Sequence, residues 1–181
     1  MRRLLLMLLL PLAFLLPACA YTSPVPLGDP ASAPLDEALV GDWVGKAEEG
    51  GPGDSATIRV RRFNQHEYLV EWNLWECQAY RPPQFHDRRL RAFITAIDSV
   101  RFLSIQDIQG DTAYWLARYT ASASELRLRF IGDHSDGGGL GKTYDTPLAL
   151  RAAVRAKLND KKLYTEEVVL VRPTAARLTV R

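Results

Sequence analysis

From residue 56 to residue 130, apolar and polar side chains alternate with a period of two in one short run after another. A strand points successive side chains to opposite faces, so this pattern commits most of the chain to half-buried β-strands. Ala56, Ile58 and Val60 alternate with Thr57, Arg59 and Arg61, and Tyr68, Val70 and Trp72 with Leu69, Glu71 and Asn73. Leu90, Ala92, Ile94 and Ala96 form one face of a longer strand, and Leu126, Leu128 and Phe130 stand against Arg127 and Arg129. Val100 to Ile105 is apolar enough to be covered on both sides, and Ala113 to Tyr119 carries aromatics on both faces. Between the runs lie turn signals: the Gly/Pro cluster at 49–54, Asn64-Gln65, Asp98-Ser99, Gly110-Asp111 and Ser122 to Ser124. Spacings this short favour hairpins joined in an antiparallel meander.

One helix interrupts the strands. Asp145-Thr146-Pro147 offers an N-cap followed by proline at the first helical position, and Leu150, Val154 and Leu158 then recur every four residues. A last strand, Glu166 to Val171, closes with Arg172-Pro173. The expected fold is therefore mainly β: an antiparallel barrel or strongly curved meander sheet, with one C-terminal helix before the last strand. An open two-layer β-sandwich is the competing architecture.

The first 19 residues carry a different message. Arg2 and Arg3 precede an apolar run, Leu4 to Leu16, of signal-peptide length and too short to span a bilayer comfortably. Leu16-Pro17-Ala18-Cys19 resembles the lipobox of bacterial lipoproteins. The resemblance implies cleavage before Cys19, acylation of its thiol and of the new N-terminus, and attachment to a membrane through that lipid. Ala20 stands where diderm bacteria place an aspartate for inner-membrane retention, which implies the outer membrane, facing the periplasm. Arg2 and Arg3 account for the whole excess of 23 basic over 21 acidic side chains, so the mature chain is neutral and no nucleic-acid partner is implied. With Cys19 acylated, Cys77 has no partner for a disulfide and reads as a small buried hydrophobe. Four prolines from Pro24 to Pro34 mark residues 19–37 as an extended tether.

Gly41-Asp42-Trp43, opening the first long strand, resembles the Gly-x-Trp signature of lipocalins and their calycin relatives. The wider pattern, through Phe102 to Ile105 and Leu126 to Leu128, is similar to a group of small bacterial lipoproteins. In lipocalins the tryptophan plugs one end of an up-and-down barrel beneath an arginine near the end of the last strand. By that likeness Trp43 is the plug and Arg172 its partner. The helix here precedes the last strand, whereas in lipocalins it follows the eighth.

No catalytic, cofactor or metal site emerges from the residues. Asp136 to Thr143 lacks the first glycine of a phosphate-binding loop, and Pro147 delays the helix such a loop requires, so it reads as a glycine-rich turn. His66, His86 and His134 are scattered, and Asp133-His134-Ser135-Asp136 lacks a second histidine or thiolate at metal spacing. Glu166 and Glu167 are adjacent and would face opposite ways on a strand. Arg59, Arg61, Arg127 and Arg129 read as a solvated outer face, with a rim for lipid head groups or an anionic polymer as the alternative. Trp75 and Tyr80 border a loop, Glu76 to Arg88, that contains Arg81 and Phe85, an aromatic contact surface at the barrel mouth unless these side chains pack in the core.

The expected organisation is a signal at 1–18, a tether at 19–37, a calycin-like β domain at 38–172 and a tail at 173–181. The expected role is a non-enzymatic binding or interaction module of the cell envelope, engaging an apolar ligand or an envelope protein. A lipocalin-like carrier of a small apolar ligand and an envelope hydrolase are the alternatives. The barrel interior separates them: faces such as Tyr68/Val70/Trp72 look filled, whereas Ala92, Ala96 and Ala117 would leave space.

Overall fold

The computed structural model of the chain describes residues 19–46, 55–76, 84–110, 112–133 and 139–173. The expected signal at 1–18 lies outside these, as do Cys77, Tyr80, Arg81 and the tail beyond Pro173. Trp75 and Phe85 are described by backbone position alone.

The alternating runs become a meander of β3 (Gly41–Lys46), β4 (Ser55–Arg62), β5 (Tyr68–Glu76), β6 (Gln84–Ile97), β7 (Val100–Asp107), β8 (Tyr114–Ala121) and β9 (Glu125–Phe130). The last strand, β11 (Val168–Val171), pairs antiparallel with β9 through Val168↔Leu128 and with β3 through Val171↔Val44. That double pairing closes the sheet into an eight-stranded antiparallel barrel, and the open sandwich is set aside. Closure also explains why the alternation is so regular, since each strand buries one face against the axis. Ile58, Val60, Tyr68, Leu90, Ile94, Leu103, Tyr119, Leu126 and Leu170 form the inner cluster.

A second core covers the outside of β6, β7 and β8. Phe93, Ile97, Phe102 and Leu116 point outward and are buried. Helix α1 (Pro147–Ala156) supplies part of their cover. Thr146 Oγ1 accepts from Ala149 N at 3.3 Å as the N-cap, Pro147 starts the first turn, and Leu150, Val154 and Leu158 are buried. Arg151 Nη2 donates to Ala96 O at 2.6 Å. The helix thus lies on the barrel wall before the last strand, and Arg155 reaches Asp98 of the β6–β7 turn at 3.3 Å. Ala96, expected on the inner face, is exposed at the end of β6.

The expected tether is corrected. Residues 19–37 are part of the domain, which therefore starts well before residue 38. β1 (Cys19–Ala20) pairs with β10 (Gly132–Asp133), and β2 (Thr22–Ser23) pairs with β8 through Thr22↔Trp115. Tyr21, Ser23, Leu27 and Ala33 are buried, and Leu27 N donates to Ser104 Oγ at 3.2 Å. A Cβ on Gly28 would meet Thr95 Oγ1 at 2.6 Å, so the strap lies flat on β6. The physical reason is the outward apolar row on β6–β8, which the helix alone does not cover. A proline-rich segment gives up little backbone entropy when it lies down on such a surface.

Candidate functional site

The turns β4–β5, β6–β7 and β8–β9 gather at one end of the barrel, with the start of β3 and the end of β11. A plug fills it. Trp43 is fully buried, and its Nε1 donates to Leu39 O at 2.9 Å. The Arg172 guanidinium lies 4.3 Å from the Trp43 ring centroid and donates to Val40 O at 3.0 Å, Ala38 O at 3.2 Å and Ala123 O at 2.8 Å. Arg172 therefore ties the 38–40 turn, the β8–β9 turn and the ring together. Gly41 makes room for it. Its φ is +144°, and a Cβ there would run into Arg172 Nη1.

Asp36 completes the plugged end. Its Oδ2 accepts from the Tyr119 hydroxyl at 3.2 Å and pairs with Arg101, while its backbone carbonyl accepts from the Tyr68 hydroxyl at 3.3 Å. Burial raises the pKa of Tyr119 strongly, and the neighbouring Asp36 charge adds to that. Burial raises Tyr68 as well, partly offset by its hydrogen bond to the Asp36 backbone. Both hydroxyls are therefore neutral donors at neutral pH.

Above the plug lies a cavity of about 80 Å³ on the barrel axis. Ala56, Val70, Trp72, Ala92, Ile105, Phe130 and Val168 are among its lining residues, all apolar in character. Among the described residues, two buried side-chain atoms lack a hydrogen-bond partner, Glu67 Oε1 and Trp72 Nε1. The glutamate charge is met by Arg91 Nε at 3.2 Å; the Trp72 N–H is buried without a partner and does not face the cavity, whose surface is wholly apolar.

Toward the end opposite the plug the inner face turns polar. Arg88 shares the inward side of β6 with Leu90 and Ala92, its Cζ lies 5.6 Å from the Trp115 ring centroid, and its Nη1 is 4.0 Å from Asp107 Oδ2. Thr22, Arg88, Asp107, Gly110, Ala113 and Trp115 line a hollow of about 420 Å³ there. Sequence reasoning missed Arg88 and Asp107. Their signal was parity: each lies two residues from an inward apolar neighbour, Leu90 and Ile105.

The other sequence candidates resolve differently. Arg59 pairs with Asp42 at 3.3 Å and Glu71 at 3.2 Å, Arg61 with Asp42 at 2.7 Å, and Arg127 and Arg129 both with Glu167, at 2.7 and 3.0 Å. These outer arginines belong to ion-pair ladders and offer no free cationic rim. Burial opposes ionisation of Asp42, but Arg61 and Arg59 outweigh it and hold its carboxyl below the usual range. The expected loop at 76–88 is corrected: Glu76 ends β5, and Phe85 to Arg88 lie in β6, with Trp75 paired to Phe85, so the connection is short, sits at the end opposite the plug, and has its tip outside the described residues. His66 Nδ1 lies 3.0 Å from Ala33 O and braces the strap, while His134 and the start of the glycine run fall outside the description. Among the described residues no three His, Cys, Asp or Glu side chains gather as a metal set, and no helix is long and apolar enough to cross a membrane. Comparison with protein-family models, curated proteins and solved structures returns no match.

Proposed function

We propose that this chain is a lipid-anchored protein of the bacterial envelope, held through Cys19, whose barrel binds a small apolar ligand without transforming it. The supporting observation is the cavity. An eight-stranded barrel is just wide enough either to be filled by its own side chains or to hold one small ligand. Here Ala56 and Ala92 fall where larger residues would have filled the axis, and about 80 Å³ is left. That is below the ~150 Å³ in which an engineered apolar cavity holds benzene. The fitting occupant is the end of one alkyl chain, not a ring system.

A second reading, an interaction module with no ligand, draws on the same small volume. Native mass spectrometry of the protein purified from its own envelope separates the two. A retained lipid-sized mass supports the carrier. A clean apo mass with a reproducible protein partner in envelope pull-downs overturns it. Anchoring is tested by Cys19→Ala, which is expected to abolish lipid labelling; unchanged membrane attachment would overturn the lipoprotein reading.

A further inference from the structure

We infer that the end of the barrel opposite the Trp43 plug docks on the surface of the bilayer, so that the cavity faces the membrane holding the protein. The inference rests on lipid attachment at Cys19 and deepens the carrier reading by naming where its ligand enters.

Strand register carries it. Cys19 pairs with Asp133 and Thr22 with Trp115, so the chain enters the fold at the end where β8 begins and β9 has finished. Thr22 itself lines the polar hollow with Arg88 and Trp115. Only afterwards does the strap run down the outside wall to Asp36 and the plug. Three residues at no more than ~3.5 Å each place an acylated Cys19 within about 10 Å of that hollow. There is no slack to reach the other end, because Tyr21 is buried and its N–H donates to Ile131 O at 2.8 Å. The corrected status of residues 19–37 is thus what decides the orientation: a free tether would have allowed any face to meet the lipid.

The same end carries an apolar contact. Ile108 follows β7, is 53% exposed, and is held by a hydrogen bond from its N–H to Arg89 O at 3.0 Å. A single exposed isoleucine would mean little on a free domain. On a tethered one the effective concentration of the surface is on the order of millimolar, so a weak contact is enough to fix orientation. Arg88, also at this end, has its side chain 52% exposed; among the described residues it has a loose 4.0 Å contact with Asp107 and lies 5.6 Å from the Trp115 ring centroid, which leaves it able to meet a phosphate or carboxylate head group. An alkyl chain would then pass from bilayer to barrel without crossing water, and its head group would stay beside Arg88.

Phe63 and Val171 are exposed at the plugged end, so the opposite orientation is the rival to be tested. The full chain carrying Cys77→Ala is produced in a bacterial envelope and reconstituted into phospholipid vesicles containing nitroxide-labelled lipid. A fluorophore is placed on Gln109→Cys, beside Ile108, or on Gln65→Cys, in the β4–β5 turn. The eight residues of β7, which run from the plugged end to Ile108, at ~3.3 Å each and a tilt of ~40° separate the two ends by roughly 20 Å along the barrel axis, so lipid-borne quenching distinguishes the two sites. Several-fold stronger quenching at 109 is expected, and Ile108→Asp should reduce it. Stronger quenching at 65, or none at either site on vesicle-bound protein, overturns the docking. Protein that does not stay with the vesicles overturns the anchoring and the docking with it. Binding of a fluorescent fatty acid to the detergent-solubilised chain is measured separately. Probe binding without quenching at 109 leaves the carrier standing and removes the docking; quenching without probe binding does the reverse.

Discussion

Gly41, Trp43 and Arg172 act as one unit, and the glycine is the least replaceable of the three. Its φ of +144° is a conformation L side chains rarely adopt, and any Cβ would displace the guanidinium from the Trp43 face. Gly41→Ala should cost at least about 1–3 kcal/mol from backbone strain alone. Trp43→Ala should cost about 3–5 kcal/mol, as expected for deleting a fully buried aromatic. Urea denaturation checks both, and a Gly41→Ala protein as stable as the parent would refute the glycine's role. The buried tyrosines set a pH dependence. Tyr68 and Tyr119 have folded-state pKa values raised above the unfolded 10.0 by burial. Their contribution is fully present below pH 10 and is lost as pH rises toward the folded values, because the unfolded chain releases those protons first. Stability should therefore fall above about pH 10, by at most ~1.4 kcal/mol per pH unit for each such tyrosine. Tyr119→Phe should flatten that slope; an unchanged slope would place the titration elsewhere.

Elements whose pattern is repeated within a few residues were readable before any coordinates. Strands β4 to β9 follow from alternation, and α1 follows from the four-residue spacing of Leu150, Val154 and Leu158 behind Thr146-Pro147. The short strands β1, β2 and β10 were not readable, since two residues carry no period. Barrel closure rests on four residues of β11, and its partners lie far away in sequence. The strap was misread because its apolar residues, Tyr21 and Leu27, are isolated among prolines. Their destination was the outward row Phe93, Ile97, Phe102 and Leu116, and only a three-dimensional view shows that this row needs cover. Leu27 is 1% exposed and inserts into the second core, so Leu27→Ala should cost about 2–5 kcal/mol despite its place in a proline-rich segment. A cost below about 0.5 kcal/mol, the range of ordinary surface changes, would restore the tether. Hydrogen exchange gives a parallel check on the helix: amides past the first turn, 151–158, should be protected, and rapid exchange there would undo its docking.

Taken whole, the molecule has two cores sharing one sheet, and they do different work. The outer core fixes the strap and helix on the wall of β6–β8 and thereby sets where Cys19 leaves the fold. The inner core is tight at the plug and loose above it, where alanines at 56 and 92 line the cavity. A barrel selected only for stability would have filled that space, because every buried methylene contributes about 0.8 kcal/mol. Ala92→Leu tests whether the space is functional. The added carbons enter an existing cavity, so the variant should be as stable as the parent or gain up to about 1–2 kcal/mol, as cavity-filling changes commonly do. The same change should remove the retained mass and the fatty-acid probe signal, since the chain and the new side chain compete for one volume. Gain of stability with loss of binding marks a site kept open at a cost to the fold. Unchanged binding in a stable Ala92→Leu protein would show that the ligand, if any, lies elsewhere, and the barrel would then be read as a scaffold for its surfaces.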